Sequence, residues 1–420
     1  MTGKHPGHAF IRNNRETKPE GQWPIPGETV TLAKLLKKQG YVTGAFGKWG
    51  LGGPGSEGEP LRQGFDRFYG YNCQALAHNY YPTSLWDNAR RVPLHNPAFP
   101  AHDQFKPDEN PADPASYRRF QGNEYAPDLI AEQARRFVRD HKDQPFFLYW
   151  PTTVPHLALQ VPDDSLREYE GLWEDPPYQG GNNYIPHFKP RAAYAAMVTR
   201  MDREIGRLLH LVEELGLAER TIVIFSSDNG PLYNKLGGTD CDFFKSAGNL
   251  RGHKGSLYEG GIRVPCMARW PGRIAPGSVS DLVTGFEDWL PTLLELIDAE
   301  SISDVDGLSF APALLGKKQK ARPFLYREFP AYGGQQSIRV GDWKGVRQKL
   351  MPGPKSGQRP QMHLELYDLA QDPSETKDVS GEHPEIVTKL EQLLQQQHTP
   401  SKDFPLPALD QSRTAHKPAP

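Results

Sequence analysis

Residues 191–229, RAAYAAMVTRMDREIGRLLHLVEELGLAERTIVIFSSDN, decide the fold. Tyr194, Met197, Val198, Met201, Ile205, Leu208, Leu209, Val212 and Leu215 recur at helical spacing and form one apolar stripe. Gly216 stands where that helix should stop, because a residue without Cβ enters the left-handed conformation cheaply. TIVIFSS then runs apolar and β-branched without alternation, the pattern of a strand buried on both faces. Asp-Asn-Gly closes the stretch as a turn.

The same helix-turn-strand order recurs on either side. Residues 28–50, ETVTLAKLLKKQGYVTGAFGKWG, give a helix, a stop at Gly40 and a strand. Residues 126–156, APDLIAEQARRFVRDHKDQPFFLYWPTTVPH, give a helix and the strand FFLYW. A looser copy places a short strand in SLYEGGIRVPCMARWPG and a helix in DWLPTLLELIDA. Alternating helices and strands predict an α/β fold with a mostly parallel central sheet and helices on both faces. Ligands of such sheets gather outside the carboxyl ends of the strands.

Past about residue 320 the pattern changes. SIRVGDWKGVRQKL and HLELYDLAQDP read as antiparallel strands, and HPEIVTKLEQLLQQQH as an amphipathic helix. The expected organisation is an α/β domain over 1–320, a small C-terminal α+β subdomain with an antiparallel sheet over 321–400, and a Pro-rich extended or disordered tail over 401–420.

Composition narrows the function. A net charge of -2 over 420 residues supplies no overall field to recruit nucleic acid or an anionic membrane, so an anionic substrate must meet local cations. The three cysteines, Cys73, Cys241 and Cys266, fit no zinc spacing and are too few for a disulfide framework. The longest apolar runs are strand-length, far short of a membrane span.

Four places at strand ends carry candidate chemistry. Lys48, in GAFGKWGLGG, follows a buried strand between glycines that leave room for a ligand, although a solvated loop lysine looks the same. His156 follows FFLYW in a loop stiffened by Pro151 and Pro155, where a plain surface histidine is the competing reading. Asp228 and Asn229 are hard oxygen donors suited to Ca²⁺ or Mg²⁺, but Asp-Asn-Gly is also an ordinary turn. Lys254, in RGHKGSLYEGG, is presented by flexible backbone and competes with a simple basic loop. Together, two lysines, a histidine and a hard-donor pair suit a tetrahedral oxyanion and the charge that builds on a leaving oxygen, and leave sulfate and phosphate esters equally open.

The motifs resemble those of the type I sulfatases, within the alkaline phosphatase superfamily, and the likeness extends over nearly the whole chain. GYVTGAFGKWGLG resembles the second sulfatase signature, VPH the histidine loop, SSDNGP the second metal motif, RGHKGSLYEGGIRVP the lysine loop and LYDLAQDPSETKDV the closing motif of the C-terminal subdomain. The resemblance implies an arylsulfatase-like sulfuric ester hydrolase acting on aryl or carbohydrate sulfates, with Ca²⁺ ahead of Mg²⁺ as the metal. It also implies a formylglycine nucleophile made from a Cys/Ser-x-Pro-x-Arg motif. Asp228 and Asn229 would be calcium ligands, Lys48 and Lys254 would bind sulfate oxygens, and Lys254 and His156 would stand beside the leaving oxygen.

Two departures stand out. Where the family usually reads Lys-Trp-His, with a histidine that helps deprotonate the formylglycine hydrate, this chain has Lys48, Trp49 and Gly50, and a nearby histidine is expected to substitute. His78 is the first candidate and His253 the second, with substrate recognition or packing the competing role for His78. The chain also contains no Cys/Ser-x-Pro-x-Arg motif. In the family that motif precedes a segment much like MTGKHPGH and is itself preceded by paired aspartates; Asp163 and Asp164 follow a proline in a polar stretch and do not qualify.

Met1 is therefore expected to be an internal methionine or the edge of a fragment, and the chain to fold poorly and show no sulfatase activity alone. No secretory signal can be read, so its own location is unassigned; a secreted or periplasmic place is expected of the full-length protein. A non-catalytic binder of sulfated glycans, and a phosphate or phosphonate ester hydrolase of the same superfamily, remain as alternatives.

Overall fold

The computed structural model describes residues 1–18, 20–181, 183–233, 235–351 and 359–414. Two compact units share the chain: Arg15–Thr221 with Leu232–Phe244, and Met1–Asn14 with Ile222–Pro231 and Lys245–Pro420.

The unit built on Arg15–Thr221 holds α1 (Leu32–Lys38), β1 (Val42–Lys48), β2 (Arg67–Tyr71), β3 (Ser84–Asp87), β4 (Arg90–Pro93), α2 (Ala126–Asp140), β5 (Phe146–Tyr149), α3 (Asp163–Leu166) and α4 (Pro190–Glu214). Its sheet runs β4-β3-β2-β1-β5. β1 is parallel to both β2 and β5, and the β3–β4 hairpin extends the sheet antiparallel. Thr31 caps α1, its hydroxyl oxygen accepting from Lys34 N–H at 3.3 Å while its O–H donates to the Gln63 carbonyl at 2.7 Å. Ile130, Ala134 and Phe137 of α2 pack with Phe46 and Tyr69 of the sheet. Gly216, at φ 67°, ends α4 as the sequence requires: its N–H donates to Glu213 O and that of Leu217 to Val212 O, both at 2.9 Å. A second core gathers Tyr80, Tyr125, Leu157, Leu159 and Met197.

The other unit holds β6 (Val223–Ser226), α5 (Glu259–Ile262), β7 (Cys266–Arg269), α6 (Trp289–Leu296), α7 (Ala311–Leu314), β8 (Leu325–Phe329), β9 (Gln335–Val340), β10 (Trp343–Arg347), β11 (Glu365–Asp368), α8 (Pro384–Gln397) and α9 (Pro407–Thr414). The C-terminal antiparallel sheet expected from the sequence is present, in the order β11-β10-β9-β8. Tyr326, Ile338 and Leu366 of this sheet bury against Leu390 and Leu394 of α8.

Two local expectations need correction. TIVIFSS reads as a strand buried on both faces, but β6 pairs antiparallel with β7 in a two-stranded ribbon and all four of its residues are half-buried. A strand with one neighbour leaves an edge and part of each face to solvent. The Pro-rich stretch read as an extended tail carries α9, because Leu406 and Leu409 bury against Leu350 and repay the ordering of the segment; residues 415–420 lie outside the described residues. All three cysteines are free thiols, and no helix among the described residues is long and apolar enough to cross a membrane.

Candidate active site

In the first unit, Lys48 is the last residue of β1 and is half-buried. Gly47 precedes it at φ 141°, where an added Cβ would lie 2.1 Å from the Pro151 carbonyl oxygen. Only glycine lets β1 approach that closely, and the approach lets Lys48 N–H donate to Pro151 O at 2.9 Å. The loop that begins at Pro151 carries His156, so strand pairing ties the lysine and the histidine loop together. Tyr80, fully buried, braces this loop with its hydroxyl 2.8 Å from Thr153 O and 2.7 Å from His156 O.

The His156 ring is oriented by its own neighbour. Its Nδ1 lies 2.7 Å from Leu157 O, and a carbonyl can only accept, so Nδ1 carries a proton and, in the neutral ring, Nε2 is the acceptor. His78, from the 3-10 turn Leu76–His78, stacks on His156 with centroids 4.9 Å apart and planes 4° from parallel. His102 and Tyr184 complete the cluster: His78 Nδ1 is 3.4 Å from His102 Nε2, and the buried Tyr184 ring packs against His102, His78 and His156. The sequence reading missed His102 and Tyr184, because nothing in their spacing marks two loop residues so distant in the chain.

Gly50 sits at φ 96° with its N–H donating to Asn72 O at 3.2 Å, beside Trp49 N–H bonded to Tyr71 O at 2.9 Å. The backbone at this position is thus in the region that favours glycine and is poorly suited to the histidine usual in the family.

In the second unit, Asp228 and Asn229 follow β6 after Ser227, Asp228 exposed and Asn229 half-buried. Asn229 Nδ2–H donates to Gly230 O at 2.9 Å, which leaves Oδ1 as its oxygen donor. Gly230 N–H donates to Gly261 O at 2.9 Å, and Lys254 N–H donates to Pro231 O at 2.7 Å. The lysine loop is therefore fastened to the segment that carries the hard donors. Gln335, at the start of β9, clamps the same loop: its amide N–H donates to Gly255 O at 2.6 Å and its oxygen accepts from Leu257 N–H at 3.1 Å. Glu259, just beyond, pairs with the buried Lys344 of β10 at 2.9 Å. His253 is exposed and its ring Nδ1 faces Lys254 O at 3.1 Å, an arrangement that shapes the loop.

A calcium ion takes six to eight oxygen ligands. Asp228 and Asn229 fit part of such a shell, and the group of three metal-capable side chains found close together among the described residues is a different one, His5, His8 and Asp306. Hydrogen bonding argues against a metal in that group. His5 Nδ1 accepts from Gly7 N–H at 3.1 Å, so its proton sits on Nε2, which faces Gln397 Oε1 at 3.3 Å and has no lone pair for an ion. Asp306 accepts from His5 N–H at 3.0 Å and from His8 Nδ1 at 2.8 Å; although burial works to raise its pKa, these bonds hold it below the usual carboxylate range. Asp164, set aside from the sequence, is engaged by Arg200 at 2.8 Å.

Formylglycine does not fit the residues of this chain. No Cys/Ser-x-Pro-x-Arg occurs, and burial pushes the Cys73 thiol up, away from the thiolate.

Each unit thus presents its own polar set: a strand-end lysine and a histidine loop in the one, and a hard-donor pair fastened to a second lysine's loop in the other. Sequence comparison narrows the class. The profile of the family Sulfatase matches residues 1–299, and that of N-sulphoglucosamine sulphohydrolase, C-terminal, matches 253–400. Human arylsulfatase A is 31% identical over 409 residues, covering 89% of this chain and 72% of its own. The N-acetylgalactosamine-6-O-sulfatase of Bacteroides thetaiotaomicron is 27% identical over 87% of this chain and 76% of its own. A crystal structure of Ps i-CgsB in complex with k-i-k-neocarrahexaose shares the fold at a TM-score of 0.72 and 23% identity, covering 97% of this chain and 81% of that one. The chain belongs to the sulfatase family and is a type I sulfatase, a sulfuric ester hydrolase by class.

Proposed function

We propose that the chain recognises the sulfate group of aryl or carbohydrate sulfate esters through Lys48, His156 and Lys254, with Asp228 and Asn229 as two oxygen ligands of a divalent cation, Ca²⁺ ahead of Mg²⁺. The observation that carries this reading is the bond from Lys254 N–H to Pro231 O, which fastens the backbone of the lysine loop to the segment carrying the two hard donors. The relatives named for arylsulfate and N-acetylgalactosamine 6-sulfate hydrolysis support the substrate range.

Each side chain has a distinct task. The two ammonium groups neutralise sulfate oxygens, and His156 takes or gives a proton at Nε2 because Nδ1 is committed to Leu157 O. A bound cation would draw electron density from the sulfate oxygens. His78, stacked on His156, is favoured over the exposed His253 as the histidine that replaces the one absent at Gly50. Because the formylglycine precursor motif is not among these residues, the 420-residue chain by itself binds sulfate esters without turning them over.

Calorimetric titration with p-nitrophenyl sulfate and p-nitrophenyl phosphate, alongside release of p-nitrophenol, tests this. Sulfate ester binding weakened roughly tenfold or more by Lys254→Ala, with release at the buffer rate, is expected, a charged hydrogen bond being worth about 1.5–3 kcal/mol. Turnover would overturn the inactivity, and preferential binding of the phosphate ester would move the substrate assignment.

A further inference from the structure

Many aromatic side chains of this sequence could stack on sugar rings, among them Tyr80, Tyr81, Trp86 and Tyr332. The fold separates them. Tyr80 and Tyr81 are core residues, and Trp86 is half-buried with its indole N–H donating to Glu20 at 2.7 Å. Tyr332 is 58% exposed.

Tyr332 lies in the turn between β8 and β9, where Tyr332, Gly333 and Gly334 all have positive φ, at 51°, 87° and 75°. A side chain is rarely placed in that conformation, and the turn is held in it by Gly334 N–H to Ala331 O at 3.0 Å, Leu350 N–H to Gly334 O at 3.0 Å and Met351 N–H to Gly333 O at 2.8 Å. The ring lies over Gly255. An ideal Cβ on Gly255 would be 3.0 Å from each of Cε1, Cε2 and Cζ, and a point equidistant from three atoms of a regular hexagon lies on the ring normal. One face of Tyr332 therefore rests on the residue that follows Lys254. Gln335, immediately after the turn, clamps the same loop through Gly255 and Leu257. Lys349, exposed and at φ 56°, borders the turn, its Cα 3.9 Å from where a Cβ on Gly333 would stand.

An aromatic ring that rests on the lysine loop and remains widely exposed, with a second lysine at its border, is not an enclosed apolar slot for an aryl group. It suits a ligand with one apolar face and a polar rim. We propose that Tyr332 is the platform for the sugar ring of a carbohydrate sulfate ester whose sulfate is held by Lys254. The assignment rests on the sulfate-ester reading above and names its substrate class.

Titration of the full chain with galactose 6-sulfate, p-nitrophenyl sulfate and inorganic sulfate tests it. Tyr332→Gly is the informative variant, since glycine accepts the backbone conformation, and Tyr332→Phe keeps the ring. The chain should bind galactose 6-sulfate at least tenfold more tightly than inorganic sulfate. Tyr332→Gly should erase that difference and leave inorganic sulfate unchanged, while Tyr332→Phe should preserve it. An unchanged ratio in Tyr332→Gly would overturn the platform while leaving the sulfate reading in place. An equal or larger loss with p-nitrophenyl sulfate would overturn the carbohydrate assignment. Lys254→Ala should weaken all three ligands; no effect on inorganic sulfate would overturn the sulfate reading itself, and the platform with it.

Discussion

The imidazole of His78 lies flat on that of His156, 4.9 Å away and 4° from parallel, although the two residues come from separate loops. One ring is oriented from below by Leu157 O and the other faces His102, so the pair is held at both ends. Stacked aromatic rings contribute about 0.5–1.5 kcal/mol beyond burial. A double-mutant cycle of His78→Ala and His156→Ala in urea unfolding should return a coupling in that range. In histidine-labelled protein at neutral pH, ¹⁵N shifts should show His156 protonated on Nδ1; the opposite tautomer would contradict the Leu157 contact.

Gly50→His, which restores the residue usual in the family, should destabilise the fold by about 1–3 kcal/mol, because φ is 96° there. Gly47→Ala should cost more, since its Cβ would meet Pro151 O at 2.1 Å. Urea midpoints at pH 7 check both. A neutral Gly50→His would show that the backbone after β1 relaxes freely.

His187 supplies a pH dependence. Its Nδ1 accepts from Lys189 N–H at 3.0 Å, at the start of α4, and burial lowers its pKa from 6.5 to about 4. Between those values the unfolded chain binds more protons than the folded one, so this contribution is full above pH 6.5 and lost as pH falls toward 4. The loss amounts to at most about 3 kcal/mol. His187→Asn keeps an acceptor for Lys189 and does not titrate, so its stability should fall less across that interval. A parallel decline in both proteins would rule out His187 as the cause.

On the proposed reading Asp228 and Asn229 would supply two of the six to eight oxygens that Ca²⁺ takes, so affinity in this chain should be weak, with Kd about 1 mM or higher. A small rise in Tm with millimolar Ca²⁺ is expected, and Asp228→Ala should abolish it. If the rise survives in that variant, the ion binds elsewhere.

What the sequence made legible was local. The apolar stripe of α4, its stop at Gly216 and the β-branched run of β6 need only neighbouring residues to be read. The placement of Lys48, His156 and Asp228 at or just past strand ends follows from those elements. The partner of β6 was not legible, because pairing depends on residues far away in the chain. Nor were His102 and Tyr184, which reach the histidine pair from loops with no regular spacing. The segment at α9 misled by its prolines: Leu406 and Leu409, three apart, were the signal that it packs.

Gln335 acts on the lysine loop from a strand 80 residues downstream, and Glu259, the first residue of α5 just beyond the loop, pairs with Lys344 of the next strand. The reach of Lys254 is thus framed by the C-terminal sheet. The two stretches form one inheritable module: transplanting residues 320–400 from a relative would replace the frame along with the sheet, and the graft would need matching residues at 335 and 344 to leave the lysine where it stands.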